Sequence, residues 1–276
     1  MKIINLLLGK LSGKCSNILS LWRAKQQEKE IRKNKKLLLN IGSGNWECPG
    51  WICLDYPSEW YSKAQSGHKI VPYDIRSESI PYSDNSVDAI YCSHVVEHIE
   101  NHHIQRFFQE VHRVLKEGGV FRVCCPDAEF LYEVAKSGKL DYWYWRKSWF
   151  SSPRFWQGRQ DVKPVDYLVR EVATPKLKGY VNAIDGGVDV SREFDNMPMV
   201  EFLDFLTNDL EFRNDYVGDH INFWTYEKMK EMLQHAGFDI VIRSKWHASV
   251  CRYMENLGYF DKTAPHMSLY VEAVKQ

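Results

Sequence analysis

The chain has 276 residues, 44% of them apolar, and its 36 Lys and Arg balance 36 Asp and Glu for a formal charge of zero. That is enough chain and apolar content for a large core, and the neutral balance argues against a nucleic-acid partner, which calls for a basic surface. No apolar run approaches the roughly 18 residues that cross a bilayer.

The N-terminal run MKIINLLLGKLSGK is interrupted by Lys10 and Lys14 and lacks a signal cleavage pattern. The seven cysteines, at 15, 48, 53, 92, 124, 125 and 251, form no CxxC pair. An odd number, several inside predicted strands, reads as reduced, buried thiols in a cytoplasmic protein.

Residues 1–36 carry ten Lys or Arg against two Glu, with Ile4, Leu7, Leu11, Cys15, Ile18 and Trp22 recurring every three or four positions. This predicts a basic amphipathic helix ahead of a domain spanning 37–276. Three readings stay open: the stripe packs on that domain or a second subunit, it makes a peripheral contact with anionic lipid on the inner membrane face, or the segment is disordered.

The domain opens with a strand over Leu37 to Ile41, the turn Gly42-Ser43-Gly44, and a second strand from Trp51 to Asp55. Glycines after a buried strand allow a sharp turn and close approach of a ligand, and a carboxylate ending the next strand can accept ribose hydroxyl protons. A dinucleotide fingerprint requires a third glycine where Glu47 stands and an acid much later than Asp55, so NAD is disfavoured. Further strands follow at Lys69 to Tyr73, ending at Asp74-Ile75, and at Val87 to Cys92.

A helix over Ile104 to Leu115, a Gly118-Gly119 turn and a strand from Val120 to Cys124 come next. A helix from Tyr226 to Ala236 stopped by Gly237, a strand from Phe238 to Arg243 and one from Leu269 to Val274 complete a seven-stranded α/β sheet. Only the nine residues Gly42 to Gly50 separate the first two strands, fewer than the dozen of a parallel crossover. The first crossover helix is therefore short or absent, and the N-terminal helix is available to cover the bare sheet face.

The segments LLLNIGSGNWECPGWICLD, IPYSDNSVDAIYCSHVVEHI and FFQEVHRVLKEGGVFRVCCPD, in that order, resemble the class I S-adenosylmethionine-dependent methyltransferases. The resemblance spans about residues 37–136, returns at Trp224 to Ile242 and Leu269 to Lys275, and is closest to small methyltransferases of bacterial surface-polysaccharide gene clusters. It implies a Rossmann-like fold and S-adenosylmethionine as cofactor. It also implies roles: Gly42, Ser43 and Gly44 as a backbone platform, Asp55 on the ribose, Asp74 on the adenine amino group, the Ile75 N–H on the ring, and Ser93 at the end of the fourth strand. Asn40 stands where the family commonly has an acid; its amide oxygen can still accept a weaker hydrogen bond from the methionine amino group.

Ser93-His94-Val95-Val96-Glu97-His98 starts at the strand end where open α/β sheets bind ligands. If a helix begins promptly, His94 and His98 share a face, and a neutral imidazole there can take an acceptor's proton; packing or capping is the plainer role for each. Glu97 suits a helix start. His220, in the loop before the Thr225 cap, is a second candidate base or a surface loop histidine. No metal is expected, because the HExxH pattern is absent and no cysteine spacing completes a site. His102-His103 and His235 read as solvated helix residues, and Asp127 as a helix cap or an acceptor contact.

The segment 140–219 is an insertion in which Tyr142 to Trp156 holds eight aromatics among fifteen residues, interleaved with Arg146, Lys147, Arg154 and, further on, Arg159. Rings stack on sugar faces and Arg holds phosphate or carboxylate, so this suits a lid over a nucleotide-sugar or glycan acceptor; the alternative is that the rings pack the insertion onto the sheet. The expected function is O-methylation of a sugar, nucleotide-sugar or related polar precursor of a surface glycan. The alternatives are N- or phosphate-type O-methylation of a small molecule, and a catalytically silent binding module, suggested by Asn40 and the short crossover.

Overall fold

Seven strands form one sheet in the computed structural model, which describes residues 2–58, 65–156, 161–256 and 258–276, with side chains from residue 18 onward. They are β1 (Leu38–Ile41), β2 (Ile52–Asp55), β3 (Ile70–Pro72), β4 (Val87–Ser93), β5 (Leu115–Pro126), β6 (Ile240–Arg243) and β7 (Ser268–Val274). Their spatial order is β3-β2-β1-β4-β5-β7-β6. Strands β1 to β5 pair in parallel, and β7 runs antiparallel between β5 and β6. This is the Rossmann-like α/β sheet expected from the sequence. All four residues of β1 are buried, as a central parallel strand covered on both faces requires.

Helix α2 (Asn101–Val114) buries Ile104, Phe107, Phe108, Val111 and Val114 in a core shared with Leu39, Ile90 and Phe121. Two local expectations need correction, and one open choice is resolved. The Gly118-Gly119 turn lies inside β5: Leu115 pairs with Val87, and pairing resumes at Val120 opposite Ala89. The extra residues bulge out, with Gly118 at φ +74°, a conformation that favours glycine. His94 and His98 share no helix face, because the chain leaves β4 through His94 at φ +56° into a single 3-10 turn, Val96–His98. Asp127 proves to be a cap, accepting from the Phe130 N–H at the start of α3 (Ala128–Lys136).

No helix lies between β1 and β2. Helix α1 (Lys2–Lys33) occupies that face with its second half: Ile31 is buried with Cys48, Trp51 and Tyr91, and a Cβ on Gly50 would come within 2.8 Å of the Ile31 side chain. The stripe members Ile4, Leu7, Leu11 and Cys15 lie outside the described side chains. Ile18 and Trp22 are more than half exposed. No helix among the described residues is long and apolar enough to cross a membrane. The cysteines at 48, 53, 92, 124, 125 and 251 are free and buried.

The insertion builds a core of its own. It contains α4 (Lys147–Phe150), α5 (Pro164–Val172), α6 (Ser191–Asn196) and α7 (Met199–Thr207). Trp143, Phe150, Trp156 and Tyr167 are buried there with Leu131 and Tyr132 of α3, Trp143 stacking on Tyr167. Most rings of the aromatic run therefore pack the insertion, which is the plainer of the two readings. Arg146 is likewise occupied, paired with Glu171 at 2.5 Å; Arg159 lies outside the described residues.

Candidate active site

The carboxyl ends of β1 to β4 open into one cavity of about 580 Å³. Its walls bring together Gly42, Ser43, Gly44, Asp55, Asp74, Ile75, Ser93, His94 and His98. Two of the sequence candidates stand apart: Asn40 is buried within β1 and His220 is buried behind the wall. The β-strand alternation explains Asn40, since in a strand only every second side chain faces a given side.

The glycine loop is fixed by sterics and by one hydrogen bond. Gly42 takes φ +72°, and a Cβ there would lie 2.1 Å from Val95 Cγ2. Gly44 takes φ +56°; a Cβ there would meet no protein atom within 4 Å, so it would take up space beside the cavity. The Gly44 N–H donates to Asp55 Oδ2 at 2.5 Å, joined by Gln65 Nε2 at 3.1 Å, and the Tyr56 N–H donates to Oδ1 at 2.7 Å. A carboxylate has about four acceptor positions, so these three donors leave room for one more. Burial pushes the Asp55 carboxyl above its ordinary value, and the Gly44, Tyr56 and Gln65 hydrogen bonds pull against it.

Asp74 is held by Arg76, whose Nε and Nη2 reach its two oxygens at 3.0 and 2.9 Å. The Arg76 guanidinium in turn lies 3.9 Å from the centre of the Phe212 ring and 4.9 Å from that of Tyr56. Arg76, Tyr56 and Phe212 all line the cavity and were missed in the sequence. Tyr56, adjoining Asp55, was the one open to inference; Phe212 arrives from the end of the insertion, more than 130 residues away along the chain.

Around the other end of the cavity, His94 Nε2 is 2.9 Å from Ser268 Oγ and its Nδ1 is 3.1 Å from Glu97 Oε1. His98 Nδ1 is 2.7 Å from the Asp219 carbonyl. A carbonyl only accepts, so that nitrogen carries the proton and Nε2 is the basic atom. His220 sits edge-to-face against His98, ring centres 4.8 Å apart, with its own Nδ1 2.6 Å from the Glu171 carbonyl. Burial, then the neighbouring His98 and Arg170, hold His220 well below the ordinary histidine range. It is neutral and is not the surface loop residue that one sequence reading allowed. Glu97 is 1% exposed; burial raises its carboxyl, but His94 and His98 outweigh that and keep it below its ordinary value.

Residues 51–123 match the family model described as a methyltransferase domain. Among curated proteins none matches the chain. Solved structures similar to it include an S-adenosylmethionine-dependent methyltransferase from Mesorhizobium loti (15% identity, 87% of this chain and 90% of that one, TM-score 0.41) and one from Archaeoglobus fulgidus (12%, 91% and 94%, TM-score 0.42). Another is the methyltransferase SibL in its apo form (12%, 87% and 50%, TM-score 0.38), about half of whose length this chain spans. At those scores the overlays add nothing to the strand order.

The sheet order, the antiparallel β7 and the family match define a Rossmann-like methyltransferase fold. The cofactor that goes with it is S-adenosylmethionine. The cavity fits that molecule: it is large enough for a nucleoside with a side chain, Gly44 leaves its floor clear, and Asp55 retains acceptor capacity for a ribose hydroxyl.

Proposed function

We propose that the chain is an S-adenosylmethionine-dependent methyltransferase that methylates a hydroxyl of a sugar, nucleotide-sugar or related polar precursor of a surface glycan. The observation that carries this reading is the cavity itself, where Gly44, Asp55 and Asp74 share one wall system with His94 and His98. Asp55 would hold the ribose, Asp74 and Ile75 the adenine, and the Gly42 to Gly44 backbone the amino-acid end. The cofactor supplies a methyl group already activated on a sulfonium. Alignment of the acceptor oxygen is therefore the protein's main task, worth up to about 7 to 11 kcal/mol. His98, its Nδ1 proton fixed by Asp219, takes the hydroxyl proton on Nε2, a contribution of about 100- to 10,000-fold.

Support for a polar, glycan-like acceptor comes from a second cavity of about 300 Å³ in the insertion, lined by Trp149, Arg154, Arg170, Tyr180 and Asn182 and reaching Asp219. Its rings and guanidinium groups suit a sugar bearing an anionic substituent. Calorimetric titration with S-adenosylhomocysteine, followed by a screen of sugar nucleotides for methyl acceptance, tests the reading. Well-folded protein that binds no S-adenosylhomocysteine would point instead to a silent binding module.

Ile18, Leu19, Leu21 and Trp22 are exposed on α1 beside Arg23 and Lys25. That favours a peripheral contact with anionic lipid, with the enzyme on the cytoplasmic side. Flotation with anionic liposomes of the full chain, but not of its Leu19→Glu/Trp22→Glu variant, is the expected result; full chain left in solution would refute the contact.

A further inference from the structure

We propose that Glu97, His98 and His220 bind one divalent transition-metal ion at the inner wall of the cavity. One ligand atom from each residue lies within 4.8 Å of those of the other two. Tetrahedral zinc with ligand bonds of 2.0 to 2.2 Å needs separations of about 3.3 Å, so the three close inward when the ion binds.

Three features point to a cation. Neither oxygen of Glu97 has a hydrogen-bond partner, although the side chain is 1% exposed. His94 Nδ1 lies 3.1 Å from Oε1, in ion-pair range but out of line for a hydrogen bond, and its Nε2 is engaged by Ser268. A buried carboxylate left without donors calls for a specific explanation, and an ion is one of the few available. Second, the Nδ1 atoms of His98 and His220 both face backbone carbonyls, of Asp219 and Glu171, at 2.7 and 2.6 Å. Each ring is thereby fixed with its lone pair on Nε2, the arrangement by which metal-binding histidines are held. Third, one ring nitrogen of each histidine and one Glu97 oxygen already lie within 4.8 Å of one another, so a small inward shift would let a shared positive charge serve all three residues.

Two imidazoles, one carboxylate and no thiolate suit Zn²⁺ or another first-row ion with open positions for a further ligand, rather than Ca²⁺ or Mg²⁺. The HExxH spacing could not reveal such a site, because the second histidine comes from the loop that follows the insertion. Binding of the ion does not depend on the methyltransferase reading, but its role rests on it. Because His98 also lines the cavity, the ion would face the acceptor and acidify a coordinated hydroxyl, whose proton would pass to water in place of His98.

The test is titration of chelator-treated full-length protein with ZnCl₂ by calorimetry and with CoCl₂ by visible absorption, for wild type, His220→Ala and Glu97→Gln, alongside S-adenosylhomocysteine. The expected result is one equivalent bound, with the Co²⁺ spectrum of a low-coordinate nitrogen and oxygen site, and affinity reduced at least about 100-fold in either variant. Circular dichroism identifies a variant that has not folded, and the other then decides. Absence of stoichiometric binding by wild type, or equal binding by the folded variants, overturns the site. Protein that binds S-adenosylhomocysteine but takes up no added metal overturns the metal site and leaves the donor reading standing. Metal bound without S-adenosylhomocysteine supports the site and refutes the donor reading.

Discussion

The backbone N–H of Gly44 donates to Asp55 Oδ2 at 2.5 Å, tying the loop after β1 to the end of β2. Loop shape and the proposed ribose recognition would thus depend on the same carboxylate. Asp55→Ala removes a charged acceptor from both, and charge-assisted hydrogen bonds are worth about 1.5 to 3 kcal/mol each. S-adenosylhomocysteine affinity is expected to fall at least about 10-fold by calorimetry; unchanged affinity would remove Asp55 from the site.

The same residue predicts a pH dependence. In its proposed role Asp55 accepts from ribose hydroxyls as the ionised carboxylate, and burial raises its pKa above its ordinary value. Binding is therefore full above the raised pKa and weakens as pH falls through it, approaching tenfold per unit. The decline begins at higher pH than for an ordinary carboxylate. In Asp55→Asn the affinity is lower throughout and this pH-dependent phase is missing, a difference that titrations across the acidic range would reveal.

Gly42 and Val95 form a testable pair. Gly42→Ala places a methyl group 2.1 Å from Val95 Cγ2 at φ +72°, an overpacking and strain cost of about 2 to 4 kcal/mol. Val95→Ala should recover the steric part but not the backbone part. Denaturant unfolding of both single variants and the double variant measures the coupling, and strict additivity would contradict it.

His98→Ala is expected to lower turnover at least about 100-fold while leaving S-adenosylhomocysteine affinity within about twofold. The loss is expected whether His98 acts as the base or as a metal ligand. Normal turnover would exclude it from the chemistry.

Ile31 anchors α1 over the short crossover. Its truncation to Ala is expected to destabilise the protein by about 2 to 4 kcal/mol, measured by denaturant unfolding, whereas Ile18→Ala, at an exposed position, should change stability by less than about 0.5 kcal/mol.

The sequence by itself determined the sheet and which strand ends meet at one cavity. Apolar runs ending in Gly42-Ser43-Gly44, Asp55, Asp74 and Ser93 are local patterns, and a parallel α/β sheet carries every strand end to the same edge. Residues at those ends therefore gather without any knowledge of long-range packing. Asn40 escaped this logic only because a one-residue offset in a strand reverses the face. The missing crossover helix was legible from nine residues, and the fold answers it with α1.

What only the tertiary structure decided is the rest of the cavity. Phe212 and Asp219 reach it from an insertion whose path no periodicity encodes, and His220 follows directly after that insertion. Most of the aromatic run proved to be the insertion's own core, because rings interleaved along a segment carry no mark of which face turns inward. The His98 tautomer depends on a carbonyl 121 residues away. Glu97, read as a favourable start for a helix, is buried without a donor because the helix begins later and the chain turns it inward. Local spacing encodes strand ends; convergence of lone pairs from distant segments depends on packing, and that is where the proposed chemistry lies.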